Sequence, residues 1–205
     1  MYRFWKRAFD LCSSLSLLIA ISPIFIILAI LVRVNLGSPI IFRQIRTGKG
    51  MRNFSIMKFR TMTNAKDKNG NLLPDEKRFT KFGRWLRSSS LDELPELLNI
   101  INGDMSVIGP RPLPPIYNEY YRPEEMARFD VRGGLVTPDS VDSNPIISWD
   151  TQFEYEADYG ENLSFKKDLE VFIGVFRILF LRTKTDYGEY VRKPLNVERA
   201  NMKQE

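Results

Sequence analysis

The chain has 205 residues, no histidine and a single cysteine, Cys12, set inside an apolar run. This composition supports one modest core, excludes histidine-based acid–base chemistry and histidine-bearing metal sites, and leaves no intrachain disulfide. With 30 Lys and Arg against 25 Asp and Glu, the net charge of +5 suits an anionic partner such as phosphate, nucleic acid or an acidic membrane face.

From Leu11 to Val32 the sequence LCSSLSLLIAISPIFIILAILV carries no charge. As one straight helix it would reach about 30 Å, enough to cross a hydrocarbon core. The run is too long for a signal-peptide h-region, and no small-residue cleavage site follows it. Ser22 and Pro23 interrupt it, because proline removes a backbone donor and clashes one turn back while the serine hydroxyl can satisfy a freed carbonyl. Cations flank both ends, with Arg3, Lys6 and Arg7 before it and Arg33, Arg43, Arg46, Lys49 and Arg52 after it. Like charge on both flanks favours a hairpin that enters and leaves by one face. The residues alone leave a plain spanning helix with a tolerated proline equally open.

Beyond Gly37, two β-prone runs at about Ile40–Ile45 and Asn53–Thr61 are separated by a Gly48/Gly50 turn and predict a hairpin carrying cations. The polar stretch TNAKDKNGNLLPD reads as a loop. DEKRFTKFGRWLR then predicts a basic amphipathic segment with Phe79, Phe82 and Leu86 on one side and Trp85 nearby, suited to a headgroup layer or to the protein core. Near the C-terminus, Leu169, Phe172, Ile173, Phe176, Leu179 and Phe180 recur at helical spacing after an N-cap at Ser164, and this face is expected on the core or on a bilayer. After Tyr187 the sequence is polar and predicts a loose tail. The fold expected is α+β and mainly helical: a re-entrant broken membrane helix over residues 1–36, a small cytosolic domain over 37–187 with a short β-hairpin and amphipathic interfacial helices, and a polar tail over 188–205.

The segment SLDELPELLNII places Leu91, Leu94, Leu97, Leu98 and Ile101 on one helical stripe and leaves Asp92, Glu93, Glu96 and Asn99 off it. Ser90 with Glu93 three residues later fits a capping box, and acids suit a first turn, so a purely structural helix start explains the pair when it is taken alone. Pro95 conflicts with a helix capped at Ser90, which moves the start nearer Asp92 or makes the first turn irregular. Cationic KFRTM precedes the pair, as do Arg84 and Arg87, and NGDMSVIGPRPLPP follows it. Pro110, Pro112, Pro114 and Pro115 forbid a helix there and hold Arg111 in a stiff extended turn, either as a rigid connector or to place a guanidinium.

These motifs together resemble the bacterial sugar transferases, the small monotopic polyprenol-phosphate phosphoglycosyl transferases. The resemblance runs almost end to end through KRAFD at 6–10, Ser22-Pro23, GSPIIFRQIRTGKG, MKFRTM, KFGRWLRSSSLDELPELLNIINGDMSVIGPRPL, ISW and YEADYGENLSFKKDL. It implies an enzyme that moves a sugar-1-phosphate from a nucleotide sugar, usually a UDP-sugar, to a membrane polyprenol phosphate and releases UMP. It further implies Asp92 as nucleophile in a covalent phosphosugar intermediate, a requirement for Mg²⁺, and a membrane helix broken at Ser22-Pro23. The location implied is the cytoplasmic face of the bacterial inner membrane, with downstream glycosyltransferases as partners and no nucleic acid.

A carboxylate nucleophile splits the transfer into two steps and needs no histidine. Glu93 is the first candidate for the metal, with Asp92 able to share it. Lys58, Arg60, Arg87, Pro110, Arg111, Pro112 and Arg132 form the candidate substrate-binding set, Arg111 being the most restrained. One stretch departs from the pattern: where relatives carry a segment like RPGITGWAQVNGRN, this chain has RGGLVTPDSVDSNP at 132–145. That change leaves the sugar unassigned and keeps open a second reading, a catalytically silent membrane scaffold that binds nucleotide sugar or a partner transferase.

Overall fold

The computed structural model describes residues 1–142, 147–182 and 192–200, with the backbone alone given for 178–182. The elements in chain order are α1 (Tyr2–Ala20), α2 (Ser22–Leu36), β1 (Ile41–Thr47), β2 (Asn53–Phe59), α3 (Asp75–Arg78), α4 (Lys81–Ser88), α5 (Glu96–Asn102), β3 (Met105–Ile108), β4 (Gly133–Val136), α6 (Trp149–Glu161), α7 (Phe165–Arg182) and α8 (Leu195–Glu198). The fold is mainly helical with two small sheets, the expected β1–β2 hairpin and a parallel pair β3–β4.

Contacts divide the chain into two compact units, one comprising Met1–Asp10, Ile45–Phe54 and Gly103–Glu205 and the other Leu11–Gln44 and Ser55–Asn102. The chain crosses between the units inside α1, twice within the hairpin and again between Asn102 and Gly103 after α5.

In the second unit the apolar run breaks where Ser22-Pro23 predicts. α1 and α2 meet at Ile21 with a bend of 67°. Proline tolerates the first turn of a helix because its missing donor is not needed there, and Ser22 Oγ donates to the Ile19 carbonyl at 2.8 Å. No single helix among the described residues is long and apolar enough to cross a membrane; the bent pair meets that test together. One stripe of α2, Leu28, Val32 and Leu36, packs with Phe59, Leu86, Leu91 and Leu94. Ile24, Ile26, Ile27, Ile30, Leu31 and Val34 remain exposed. The basic amphipathic segment forms two short helices rather than one. Thr80 caps α4 by accepting from the Gly83 N–H at 3.0 Å, Leu86 points into the core, and Trp85 faces outward.

In the first unit Ile108, Val131, Tyr159 and Val171 form one cluster, and Leu113, Trp149, Phe153 and Leu195 another. Asp168 on α7 gathers the start of α1: it accepts from Tyr2 Oη, Tyr159 Oη and Lys6 Nζ, the last at 2.7 Å. The expected apolar stripe of α7 is present, yet Leu169, Phe172, Ile173 and Phe176 point outward, while Val171 and Gly174 are buried. The side chains of Leu179 and Phe180 lie outside the described residues.

The loose tail needs correction over 192–200. Leu195 is fully buried, and Arg199 pairs with Glu125 at 2.6 Å and with Asp150. A polar composition hides one apolar anchor and one buried ion pair. The divergent stretch also acquires structure that its sequence does not announce: Gly133–Val136 pairs in parallel with β3, in register Met105 to Gly133 and Ile108 to Val136. A Cβ at Gly133 would come within 2.5 Å of the Pro112 ring, so the glycine admits the proline-rich loop against the sheet. Residues 143–146 lie outside the description.

Candidate active site

The acid pair sits on a 3₁₀ turn, Leu91–Glu93, ahead of α5. Ser90 is left-handed at φ 56° and makes no side-chain cap bond, so the expected capping box does not form. Pro95 decides this, since it lets the α-helix begin only at Glu96 and leaves the chain before it to turn more tightly. A non-glycine residue in the left-handed region costs on the order of 1 kcal/mol and is found preferentially at functional sites.

Asn99 explains how the turn is held against the hairpin. Helical spacing puts it off the buried stripe, but it is almost fully buried, accepting from the Met57 N–H at 2.9 Å and donating to the Ser55 carbonyl at 2.8 Å. These two bonds give β2 the partners of an absent strand and fix its register against α5. Lys58 is thereby brought between Glu93 at 2.6 Å and Glu96 at 3.1 Å. Glu96, which the same spacing puts outside, is buried and belongs to the site. Only the distance of three between Glu93 and Glu96 signals this in the sequence, since such residues share a helical face.

Asp92 is 8% exposed and forms no ion pair among the described residues. Burial pushes its carboxyl pKa upward and the Glu93 charge adds to the effect, while Lys58, its own backbone N–H and Arg87 oppose it. Lys58 and Arg87, rather than the dipole of a seven-residue helix, supply the positive field at the turn. Arg87 is exposed and lies 5.6 Å over the Phe79 ring, free to reach a ligand phosphate.

The other predicted residues divide sharply. Arg60 is buried with Nη1 on the Ser38 carbonyl at 2.6 Å, so the contact it makes holds the chain before β1 and not the dyad. In the first unit, Pro110–Pro112 follow β3, and the Pro110 carbonyl accepts from the Gly134 N–H at 2.9 Å. The Arg111 side chain is exposed while its backbone is gripped from both sides: its N–H donates to Glu156 Oε1 at 2.8 Å and its carbonyl accepts from Arg128 Nη2 at 2.8 Å. The prolines are therefore helped by a buried ion pair, Arg128 to Glu156 at 2.6 Å, that no local motif reveals. Arg132 donates through Nε to the Gly103 carbonyl at 2.7 Å.

Among the described residues no group of three or more His, Cys, Asp or Glu side chains is placed to hold a metal. The donor set at the turn is smaller: Asp92, together with the Glu93 oxygen that Lys58 does not take. Two carboxylate donors suit Mg²⁺, which keeps waters and takes further ligands from substrate phosphates, better than an ion that needs an all-protein cage.

The family model described as bacterial sugar transferase matches residues 1–182. An uncharacterized sugar transferase, EpsL of Bacillus subtilis (strain 168), is 43% identical over 81% of this chain and 82% of its own length. The exopolysaccharide production protein ExoY of Sinorhizobium fredii (strain NBRC 101917 / NGR234) is 34% identical over 81% of both chains. A UDP-glucose:undecaprenyl-phosphate glucose-1-phosphate transferase of Klebsiella pneumoniae is 35% identical over 84% of this chain, which spans 40% of that protein's length. With a family match over nearly the whole chain and these relatives beside it, the protein belongs to the bacterial sugar transferase family, and its expected character as a sugar-transferring enzyme stands.

Proposed function

We propose that this protein transfers a sugar-1-phosphate from a nucleotide sugar, of which a UDP-sugar is the expected form, to a polyprenol phosphate at a membrane surface. The observation that carries the reading is Asp92: a buried carboxylate on a strained turn, without an ion pair among the described residues while Lys58 is shared by its neighbours Glu93 and Glu96. Relatives named as undecaprenyl-phosphate glucose-1-phosphate transferases support the same class of donor and acceptor.

In the first step an Asp92 carboxylate oxygen attacks the phosphorus that bears the sugar. The bond from that phosphorus to the bridging oxygen breaks, and UMP leaves with the electron pair. The resulting acyl phosphate is attacked at phosphorus by an oxygen of the polyprenol phosphate, which releases the Asp92 carboxylate and forms a polyprenol diphosphate sugar. Dividing the transfer in this way lets a soluble donor and a lipid acceptor react in turn with one group. Lys58 and Arg87 offset the charge gathered around Asp92, and Arg111, aimed outward from a clamped backbone, is assigned to donor phosphate. Mg²⁺ held by Asp92 and Glu93 would supply charge neutralisation at the pyrophosphate.

Two observations support a membrane location for these steps: the outward apolar faces of the bent α1–α2 pair and the outward Phe and Leu residues of α7. The test is UMP release from UDP-sugars in the presence of polyprenol phosphate and Mg²⁺. The wild-type chain is expected to turn over and Asp92→Asn to lose at least about 10³-fold of the rate, as nucleophile replacements do. Absence of turnover with every donor would instead favour the silent scaffold.

A further inference from the structure

The first unit holds a second concentration of positive charge, built from residues other than those of the dyad. A recess of about 40 Å³ is lined by the cations Arg3, Lys6, Arg7, Lys49 and Arg132, with Asp10 and Asp130 as its carboxylates. Lys49 and Arg132 also line a cleft of about 590 Å³ that adds Arg52 and the Gly48–Gly50 turn.

Part of this charge already has a partner inside the protein. Lys6 is bound to Asp168 at 2.7 Å, and Asp10 accepts from Ser106 Oγ at 2.7 Å and from the Val107 N–H at 3.1 Å. The Arg132 Nε is held by a backbone carbonyl, that of Gly103, rather than by a carboxylate. The second guanidinium lies beside the same residue: a Cβ at Gly103 would be in ordinary contact with Arg7 Nη2 at 3.4 Å, so Arg7 and Arg132 both approach Gly103. The Lys49 pKa is lowered, first by burial and then by the charges of Arg132 and Arg3, with the Asp130 carboxylate opposing in part. Like charges gathered in a partly enclosed recess repel one another, and an anion that enters relieves the repulsion at several of them together.

From this geometry we infer that the recess binds a phosphate group, held by Arg3, Arg7, Lys49 and Arg132, either on a free phosphate or in a lipid headgroup. The space is a few water volumes, enough for one tetrahedral anion and too small for a nucleoside or a sugar. Forked guanidinium donors match phosphate oxygens, and the adjoining cleft leaves room for whatever the phosphate carries. The site goes beyond the proposed transfer and does not depend on Asp92.

The test uses the full chain in neutral detergent and follows its thermal midpoint as inorganic phosphate replaces chloride at constant ionic strength. A saturable rise is expected. In Arg3→Gln/Lys49→Gln, which alters two exposed side chains, the apparent affinity should fall at least tenfold, whereas Arg43→Gln, exposed on β1, should respond as the wild type does. Asp92→Asn should keep the full response, which separates this site from the fate of the transfer reaction. Short-chain phosphatidylglycerol added below its micellar concentration identifies the source: competition with phosphate assigns a lipid headgroup, and its absence assigns free phosphate, either result upholding the site. No response to phosphate, or an undiminished response in the double variant, overturns it.

Discussion

Replacing Glu156 by Gln removes the charge from the most deeply buried ion pair among the described residues while keeping the side chain's shape. Glu156 Oε2 lies 2.6 Å from Arg128 Nη2 and 2.8 Å from Nε, and its other oxygen accepts from the Arg111 N–H and from Gln152 Nε2. Burial raises the pKa of this carboxyl and Arg128 opposes the rise; the two-pronged contact argues that the carboxyl is ionised. In Glu156→Gln the guanidinium stays inside, stacked at 4.7 Å over Tyr121 and 5.0 Å over Phe153, without its counter-charge. Breaking one side of such a pair costs about 3–5 kcal/mol, and because Gln can still accept one hydrogen bond the lower end is expected. Urea unfolding followed by tryptophan fluorescence reads this as a lower midpoint at unchanged slope. A cost under about 1 kcal/mol, that of an ordinary neutral hydrogen bond, would refute the ionised pair. Because the same pair grips the Arg111 backbone, KM for the nucleotide sugar should rise in the variant, and Arg111→Gln should reproduce that rise with stability intact.

Activity should fall on the acid side with an apparent pKa above the ordinary carboxylate range, because only ionised Asp92 attacks and burial beside Glu93 raises its pKa. The sign for stability is the reverse: a carboxyl whose folded pKa is raised contributes stability at low pH that is lost as pH rises through that pKa. Asp92→Asn should therefore unfold at a higher temperature than the wild type at pH 7 while it loses turnover, and a lower midpoint would contradict this. Leu195→Ala should cost about 2–3 kcal/mol in urea unfolding, since Leu195 is fully buried beside Phe153 and Trp149; a cost near zero would mean that the 192–200 segment is not docked in solution. Cysteines placed singly at Arg3 and Arg43 should label from the same side of inverted membrane vesicles, and Pro23→Leu, which restores the missing donor, should move them to opposite sides.

How legible each part is in the sequence follows the range of the interaction behind it. The helix break at Ser22-Pro23, the hairpin around Gly48 and Gly50 and the conflict at Pro95 are local, settled by proline's missing donor and glycine's freedom, and each can be read from the residues themselves. The failures are long-range. Asn99 and Glu96 look like solvent-facing residues of an amphipathic helix, and their burial follows from the docking of α5 on β2 across about 40 positions. The pair Arg128–Glu156 and the anchor Leu195–Arg199 likewise join residues distant in sequence, and polar composition gives no warning of either. β4 escapes detection because two of its four residues are glycines, which lower strand propensity while letting the GPRP loop approach. At the candidate site, Asp92 and Glu93 are legible from their neighbourhood, whereas the structural work of Arg60 is not, since a basic residue in a cationic motif reads alike whether it meets a ligand or the Ser38 carbonyl.

The proposed transfer stands on Asp92 carrying the phosphosugar. Incubating the chain with UDP-sugar and Mg²⁺ in the absence of polyprenol phosphate, quenching it and measuring intact and peptide masses tests this most directly. A gain equal to one sugar phosphate is expected on the peptide containing Asp92, lost when polyprenol phosphate is added and never formed in Asp92→Asn. Steady UMP release by the Asn variant, or an adduct on any other residue, would contradict it.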